Sequence, residues 1–182
     1  RVINTAGDVL ISSAAAAEID LVEPNVDIVE ISSYEGNKLK GYVPDPEGSN
    51  SGVTIGSGLD LGNRNINDLK GLPENIITKL KPFLGLKGSE AVTKAGQLNI
   101  TKEEAKIINT FAHKQSLTKL KKKWNKDSKI KFNKLNKEQA TVLASVAFQY
   151  GDLKTKTPNF YRLALEGDWQ GVYEELMDFK DN

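Results

Sequence analysis

A stretch rich in glycine and proline in the first third of the chain places the strongest limit on its fold. Eight of the 22 residues from Gly41 to Gly62 are Gly or Pro, so a continuous helix cannot run through them. Short β-prone segments lie between these turn residues, Tyr42-Val43 and Val53-Thr54-Ile55. The pattern predicts a small, tightly turned antiparallel sheet.

The segment ahead of this stretch has a helical pattern. Pro24 suits the first turn of a helix and Gly36 suits its end, which predicts a helix with Glu35 in its last turn. Residues 1–24 are weakly patterned and are predicted to form a leading segment or linker. The folded domain is therefore expected to span residues 25–182.

The chain after the sheet is predicted to be helical. Apolar spacing indicates helical structure over 66–80. Thr101 and Glu104 form a capping box for a helix that continues through Trp124. A helix that begins at Asn136 is apolar nearly all round and belongs in the centre of a core. Two more helices are expected to begin at Pro158 and Asp168.

These elements define an α+β fold class. We expect a mainly helical fold in which a small antiparallel sheet lobe and a larger helical lobe enclose an active-site cleft. Both tryptophans, Trp124 and Trp169, have helical spacing with other apolar residues and are expected to pack in the core rather than to stack on sugars.

Composition narrows the chemistry to carboxylates. The chain has no cysteine, which excludes disulfides and thiolate zinc sites, and its one histidine, His113, is expected to be a surface or hydrogen-bonded structural residue. Acid–base catalysis near neutral pH therefore falls to Asp and Glu, and no cofactor is implied. No apolar run reaches the roughly 18 residues of a membrane span, so no membrane insertion is expected.

Charge is strongly segregated although the net charge is only +1. Residues 1–35 hold seven acids and one base, whereas residues 114–134 hold nine lysines and one acid, Asp127. Such asymmetry predicts a basic face that meets a polyanion, with a solvated helix surface as an equal alternative. Few aromatic residues interrupt the lysines, so no nucleic-acid partner is expected.

The most specific set of candidate catalytic residues is Glu35 together with the polar residues of the predicted sheet. Hydrolysis of a glycosidic bond needs a protonated carboxylic acid on one side of the sugar and a second group across the ring. The negative end of a helix dipole disfavours the ionised form of Glu35, and the sheet offers Thr54 and Asp60 for the opposite side. On chemistry alone, a solvated Glu35 and a turn-forming Asp60 remain the alternatives.

Several short motifs in order resemble the phage-type lysozymes of the T-even kind, and most closely the pesticin-like muramidase domains. They cover roughly residues 25–180 and comprise Tyr34-Glu35-Gly36, the segment Gly52 to Gly62, Thr101 to Ala105, Phe148-Gln149-Tyr150-Gly151, Asn159 to Arg162, Gly167-Asp168-Trp169 and Glu175-Leu176. The resemblance implies that Glu35 is the general acid and that Thr54 positions water or faces the anomeric carbon. It also implies that Phe148 and Gln149 line the sugar cleft.

The catalytic aspartate departs from the phage pattern. In the phage enzymes it precedes the threonine by six positions, where this chain has Gly48. In the pesticin-like variant it follows the threonine by six, which is the position of Asp60. Asp60 is therefore assigned, with Glu47 in reserve, and the retaining or inverting outcome stays open.

The resemblance implies an N-acetylmuramidase that cuts the β-1,4 bonds of peptidoglycan, as an antibacterial toxin or effector domain. Peptidoglycan is the expected partner, an immunity protein would accompany a toxin, and the domain is expected to be a monomer. It would act in the periplasm or cell wall of target bacteria, delivered by a missing domain or by a secretion or import system, because no signal peptide is visible. The alternatives are a non-catalytic wall-binding module, a lytic transglycosylase and a chitinase-like enzyme.

Overall fold

The computed structural model describes residues 25–27, 38–46 and 51–179, which form helices and one small sheet. The described chain divides into two compact units. Residues 38–46 and 51–113 form the sheet unit, and residues 25–27 and 114–179 form the helical unit. The predicted α+β class is confirmed. Across the described ranges, no helix has the length and apolar character needed to cross a membrane.

The sheet has three antiparallel strands in the order β1 (Lys38–Tyr42), β2 (Thr54–Gly56) and β3 (Leu59–Asp60). The predicted small sheet is confirmed, although β1 begins earlier than the Tyr42-Val43 segment. Beyond β1, the Gly41 N–H donates to the Leu98 carbonyl at 2.8 Å and the Ile100 N–H donates to the Leu39 carbonyl at 2.9 Å. This pairing covers the outer edge of β1, which would otherwise present unpaired backbone groups.

The helical structure of the sheet unit is more broken than predicted. Helix α1 (Glu74–Leu80) is preceded by a separate 3-10 turn at Ile66–Leu69, so the expected helix over 66–80 is interrupted. The interruption follows from Gly71, whose φ is +105°, and from Pro73, which has no N–H to donate. A 3-10 turn at Lys81–Phe83 and helix α2 (Gly88–Ala95) were not predicted.

Helix α3 (Lys102–Asp127) is 26 residues long and begins at the predicted capping box. The Glu104 N–H donates to the Thr101 hydroxyl at 3.2 Å, and the Thr101 N–H donates to the Glu104 carboxylate at 2.8 Å. The same carboxylate accepts from the Lys79 ammonium at 2.7 Å, which lowers the pKa of Glu104. The prediction that this helix continues through Trp124 is confirmed.

The helical unit contains α4 (Lys137–Tyr150), α5 (Leu153–Lys156), α6 (Pro158–Glu166) and α7 (Trp169–Asp178), with a 3-10 turn at Phe132–Lys134. Both predicted N-caps are present: Asn136 accepts from the Gln139 N–H at 2.8 Å, and Asp168 accepts from the Gly171 N–H at 2.9 Å. The core of this unit includes Trp124, Phe132, Leu143, Phe160 and Val172.

The expectations for the tryptophans and the histidine have different outcomes. Trp124 is 1% exposed and its indole N–H donates to the Ile130 carbonyl at 2.7 Å, which confirms its core role. Trp169 packs partly buried against the same core. Of the two positions expected for His113, the surface one is wrong, because His113 is only 6% exposed on α3; the structural one is compatible with this burial.

The predicted start of a helix at Pro24 is wrong for the residues that the structure describes. Asn25 lies in a turn, and Val26 and Asp27 are not helical. Tertiary contacts account for this conformation: the Asn25 side chain donates to the Phe132 carbonyl at 2.9 Å, and the Asp27 N–H donates to the Thr141 hydroxyl at 2.9 Å. The rest of that predicted helix and residues 1–24 lie outside the described residues.

Replacement of Glu104 by Gln should weaken the fold in a pH-dependent way, because Gln keeps the capping box but loses the ion pair with Lys79. Since the folded-state pKa of Glu104 is lowered, its stabilisation exists above the unfolded pKa and is lost as the pH falls through the folded value. We expect the variant to be about 0.5–1 kcal/mol less stable at about pH 7 and to approach wild-type stability as the pH falls to about 2. Urea unfolding at both pH values measures the difference; a deficit that persists in acid would contradict this assignment.

Candidate active site

Thr54 and Asp60 are direct cross-strand neighbours on β2 and β3. In the adjoining pair, the Leu61 N–H donates to the Val53 carbonyl at 2.8 Å. Thr54 and Asp60 therefore form the next, non-hydrogen-bonded pair, in which Cα atoms are typically about 4.5 Å apart and side chains come closest. The structure thus brings a hydroxyl and a carboxylate together on one face of the sheet.

The Thr54 hydroxyl has a fixed orientation. Its residue is 3% exposed, and the hydroxyl donates to the Gly52 carbonyl at 3.2 Å. A hydroxyl has only one proton to donate, so its oxygen retains lone pairs for accepting. Thr54 can therefore accept a hydrogen bond from a water molecule or a sugar hydroxyl.

The Asp60 carboxylate is held by two donors from the turn that follows it. One oxygen accepts from the Gly62 N–H at 2.8 Å and the other from the side-chain amide of Asn63. This arrangement is an Asx-type turn, so the prediction that Asp60 forms a turn is confirmed. Each oxygen can accept a further bond, so the turn orients the carboxylate without exhausting it.

A permanent positive charge lies beside Asp60. The Arg64 Nε donates to the backbone carbonyl of Asp60 at 3.0 Å. Burial lowers the pKa of the Arg64 guanidinium, while the carboxylates of Asp68 and Asp60 oppose that change. An arginine stays protonated under these conditions, so the site contains a cation next to its carboxylate.

Tyr42 extends the row of polar side chains across the sheet. It pairs with Thr54 from the opposite strand, so Tyr42, Thr54 and Asp60 share one face. Burial raises the pKa of Tyr42, and the Lys38 ammonium lies 4.0 Å from the centre of its ring. Sequence reasoning missed Tyr42 because the strand was recognised but its register with β2 was not.

Two glycines support both members of the pair. Gly52 supplies the carbonyl that holds Thr54, and Gly62 supplies the N–H that holds Asp60. The two residues are in backbone contact: a Cβ on Gly52 would lie 2.2 Å from the Gly62 Cα and 2.6 Å from the Leu86 carbonyl oxygen. No side chain fits at either position, so the contact depends on glycine.

The remaining predicted site residues are not joined to this pair by the structure. Glu35 and the reserve Glu47 lie outside the described residues. Phe148 and Gln149 belong to the helical unit, in the last turn of α4, where Phe148 is half-buried and Gln149 is exposed. Their roles stay predictions. In the described part of the chain, no group of three or more His, Asp and Glu residues could hold a metal ion.

Comparison with known proteins agrees with the fold. A family model described as "Pesticin: Bacterial toxin homologue of phage lysozyme, C-term" matches residues 25–170. The chain is thus a lysozyme-like bacterial toxin domain. It belongs to the Pesticin family, as the sequence motifs predicted. No curated protein matches the chain significantly.

Replacement of Gly52 by Ala should be strongly destabilising, because the new methyl group would overlap the backbone of Gly62. We expect a loss of about 3 kcal/mol or more in the free energy of unfolding. Gly96→Ala is the matched control, since a Cβ there would have only an ordinary contact, 3.5 Å from the Lys40 side chain, and the change should be less than about 1 kcal/mol. Denaturant unfolding of both variants tests this; equal effects would mean that the glycine contact is unimportant.

Proposed function

We propose that this domain is an N-acetylmuramidase that hydrolyses the β-1,4 bond between N-acetylmuramic acid and N-acetylglucosamine in peptidoglycan. The observation that supports it best is the Thr54–Asp60 pair, a buried hydroxyl and an oriented carboxylate side by side in a chain of the Pesticin family. Glycosidases need such a polar group across the sugar ring from their acid.

In the proposed reaction Glu35 protonates the leaving glycosidic oxygen. The Thr54 hydroxyl, whose own proton points to the Gly52 carbonyl, accepts a hydrogen bond from the attacking water and so orients it. The Asp60 carboxylate stabilises the positive charge that develops on the sugar ring or takes the proton of the water. The donors on its two oxygens keep that carboxylate in place through the reaction.

The biological setting follows from the proposed substrate and the family. Peptidoglycan is the partner, with Phe148 and Gln149 lining the sugar cleft. The domain would act as a monomer in the periplasm or cell wall of a target bacterium, delivered from outside it, and a producing cell would need an immunity protein. Carboxylates and a hydroxyl suffice for this chemistry, so the proposal includes no cofactor.

Glu35→Gln should strongly slow lysis, because an amide cannot supply the proton that the leaving oxygen needs. We expect about a 10²–10⁴-fold lower rate of reducing-end release from purified murein, and a smaller loss for Asp60→Asn. Glu90→Gln is the matched control, since Glu90 is exposed and only paired with Lys94. Equal release by wild type and Glu35→Gln would remove Glu35 from the mechanism.

Product analysis separates the proposal from its alternatives. Mass spectrometry should find reducing N-acetylmuramic acid ends, whereas 1,6-anhydro ends would indicate a lytic transglycosylase. Binding to murein without any new ends would indicate a wall-binding module. Preferential release from chitin would indicate a chitinase-like enzyme.

The basic segment favours a second role for the helical unit, which is adhesion to anionic wall polymers. Lys119, Lys122 and Lys126 are exposed and are spaced by three and four residues on α3. They therefore form one stripe on the side of α3 opposite its buried Leu117, Leu120 and Trp124. Within the described residues none of the three takes part in an ion pair.

Replacement of the three stripe lysines by Gln should weaken adhesion to cell walls without loss of fold. The control replaces three exposed lysines outside α3, Lys70, Lys81 and Lys87, which gives the same change in charge. In a sedimentation assay with intact walls, we expect only the stripe variant to lose about tenfold in affinity and to show a shallower salt dependence. Equal losses in both triples would indicate a general charge effect and no adhesive face.

A further inference from the structure

We propose that Asn109 is a positioning residue of the active site: it holds the β2–β3 hairpin in the register that keeps Thr54 and Asp60 on one face. The inference rests on the proposed function, because that function assigns Thr54 and Asp60 of the hairpin to catalysis. Asn109 lies on α3 and is half-buried.

Two observations, a hydrogen bond and a close approach, link Asn109 to the hairpin loop. The loop is Gly56-Ser57-Gly58, between the paired residues Ile55 and Leu59. The Ser57 N–H donates to the Asn109 Oδ1 at 2.9 Å. A Cβ on Gly56 would lie only 2.3 Å from the same oxygen, and Gly56 has a φ of +67°. The loop conformation and its missing side chain therefore both fit the Asn109 amide.

The loop is fixed through its backbone rather than through the serine side chain. Among the described residues, the Ser57 hydroxyl is buried and has no hydrogen-bond partner. Within the described residues, the Gly58 N–H donates to the Ile55 carbonyl inside the hairpin at 3.3 Å, and the hydrogen bond from the Ser57 N–H to Asn109 joins the loop tip to another element. An acceptor on the side chain of residue 109 is what the loop requires.

The hairpin needs such an external contact because its own ladder is very short. Strand β2 has three residues and β3 has two, with two register pairs between them. A slip by one residue would turn one of Thr54 and Asp60 to the opposite face of the sheet. Asn109 ties the hairpin to a long, rigid helix and so opposes the slip.

The test compares Asn109→Leu, which removes the acceptor at similar volume, with Asn109→Asp, which keeps an acceptor oxygen. A third variant, Glu104→Ala, damages the capping box on the same helix and controls for lost stability. Two quantities are measured well below the unfolding temperature: hydrogen exchange of the Ser57 amide, and initial rates of murein hydrolysis over a range of substrate concentrations.

We expect Asn109→Leu to exchange the Ser57 amide at least about tenfold faster and to lower kcat by about 10–100-fold with KM nearly unchanged. Asn109→Asp and Glu104→Ala should keep wild-type exchange at Ser57 and wild-type kcat. Unchanged exchange in Asn109→Leu, or faster exchange with wild-type kcat, would overturn the inference. If wild type does not hydrolyse murein, the proposed function fails and with it the catalytic part of this inference, while the exchange data still decide whether Asn109 holds the hairpin.

Discussion

The backbone contact between Gly52 and Gly62 is the constraint on which the rest of the site depends. It lets two chain segments approach more closely than any pair of side chains would permit. The same two residues supply the carbonyl that directs Thr54 and the N–H that directs Asp60. Steric fit and hydrogen bonding therefore act on the same two residues, and the main chain orients both members of the polar pair, with one further bond to Asp60 from the Asn63 side chain.

Their attachment to the main chain explains how a three-stranded sheet can hold the Thr54 hydroxyl and the Asp60 carboxylate in place. Main-chain donors and acceptors lose little freedom when a substrate binds, which is the kind of preorganisation that a catalytic site needs. At Asp60 a structural role is compatible with the proposed chemical one, because the turn-forming hydrogen bonds also orient its carboxylate. Arg64 adds a fixed positive charge beside it. The turn around Asp60 therefore belongs to the candidate site, although the family resemblance pointed only to single residues.

Sequence reasoning succeeded where one residue type has one strong local preference. The capping residues at Thr101, Asn136 and Asp168 and the turn glycines were readable because their bonds are made within a few residues. It failed where distant contacts override local preference: residues 25–27 looked helical but bond to Phe132 and Thr141. Asn109 was overlooked because its partner is 52 residues away, although a polar residue amid the apolar Ala105, Ile108 and Ala112 was a visible signal.

The attachment of residues 25–27 also bears on how the chain folds. The described part of the sheet unit comes from one stretch of the chain, residues 38–46 and 51–113. The helical unit instead joins two distant pieces, and the hydrogen bonds between them span 107 and 114 residues. Closing so large a loop costs chain entropy and slows assembly. During synthesis the sheet unit can reach its final contacts while the helical unit still lacks its last helices. Val26 can be buried only after the C-terminal helices that surround it have formed, so the helical unit is expected to be completed last.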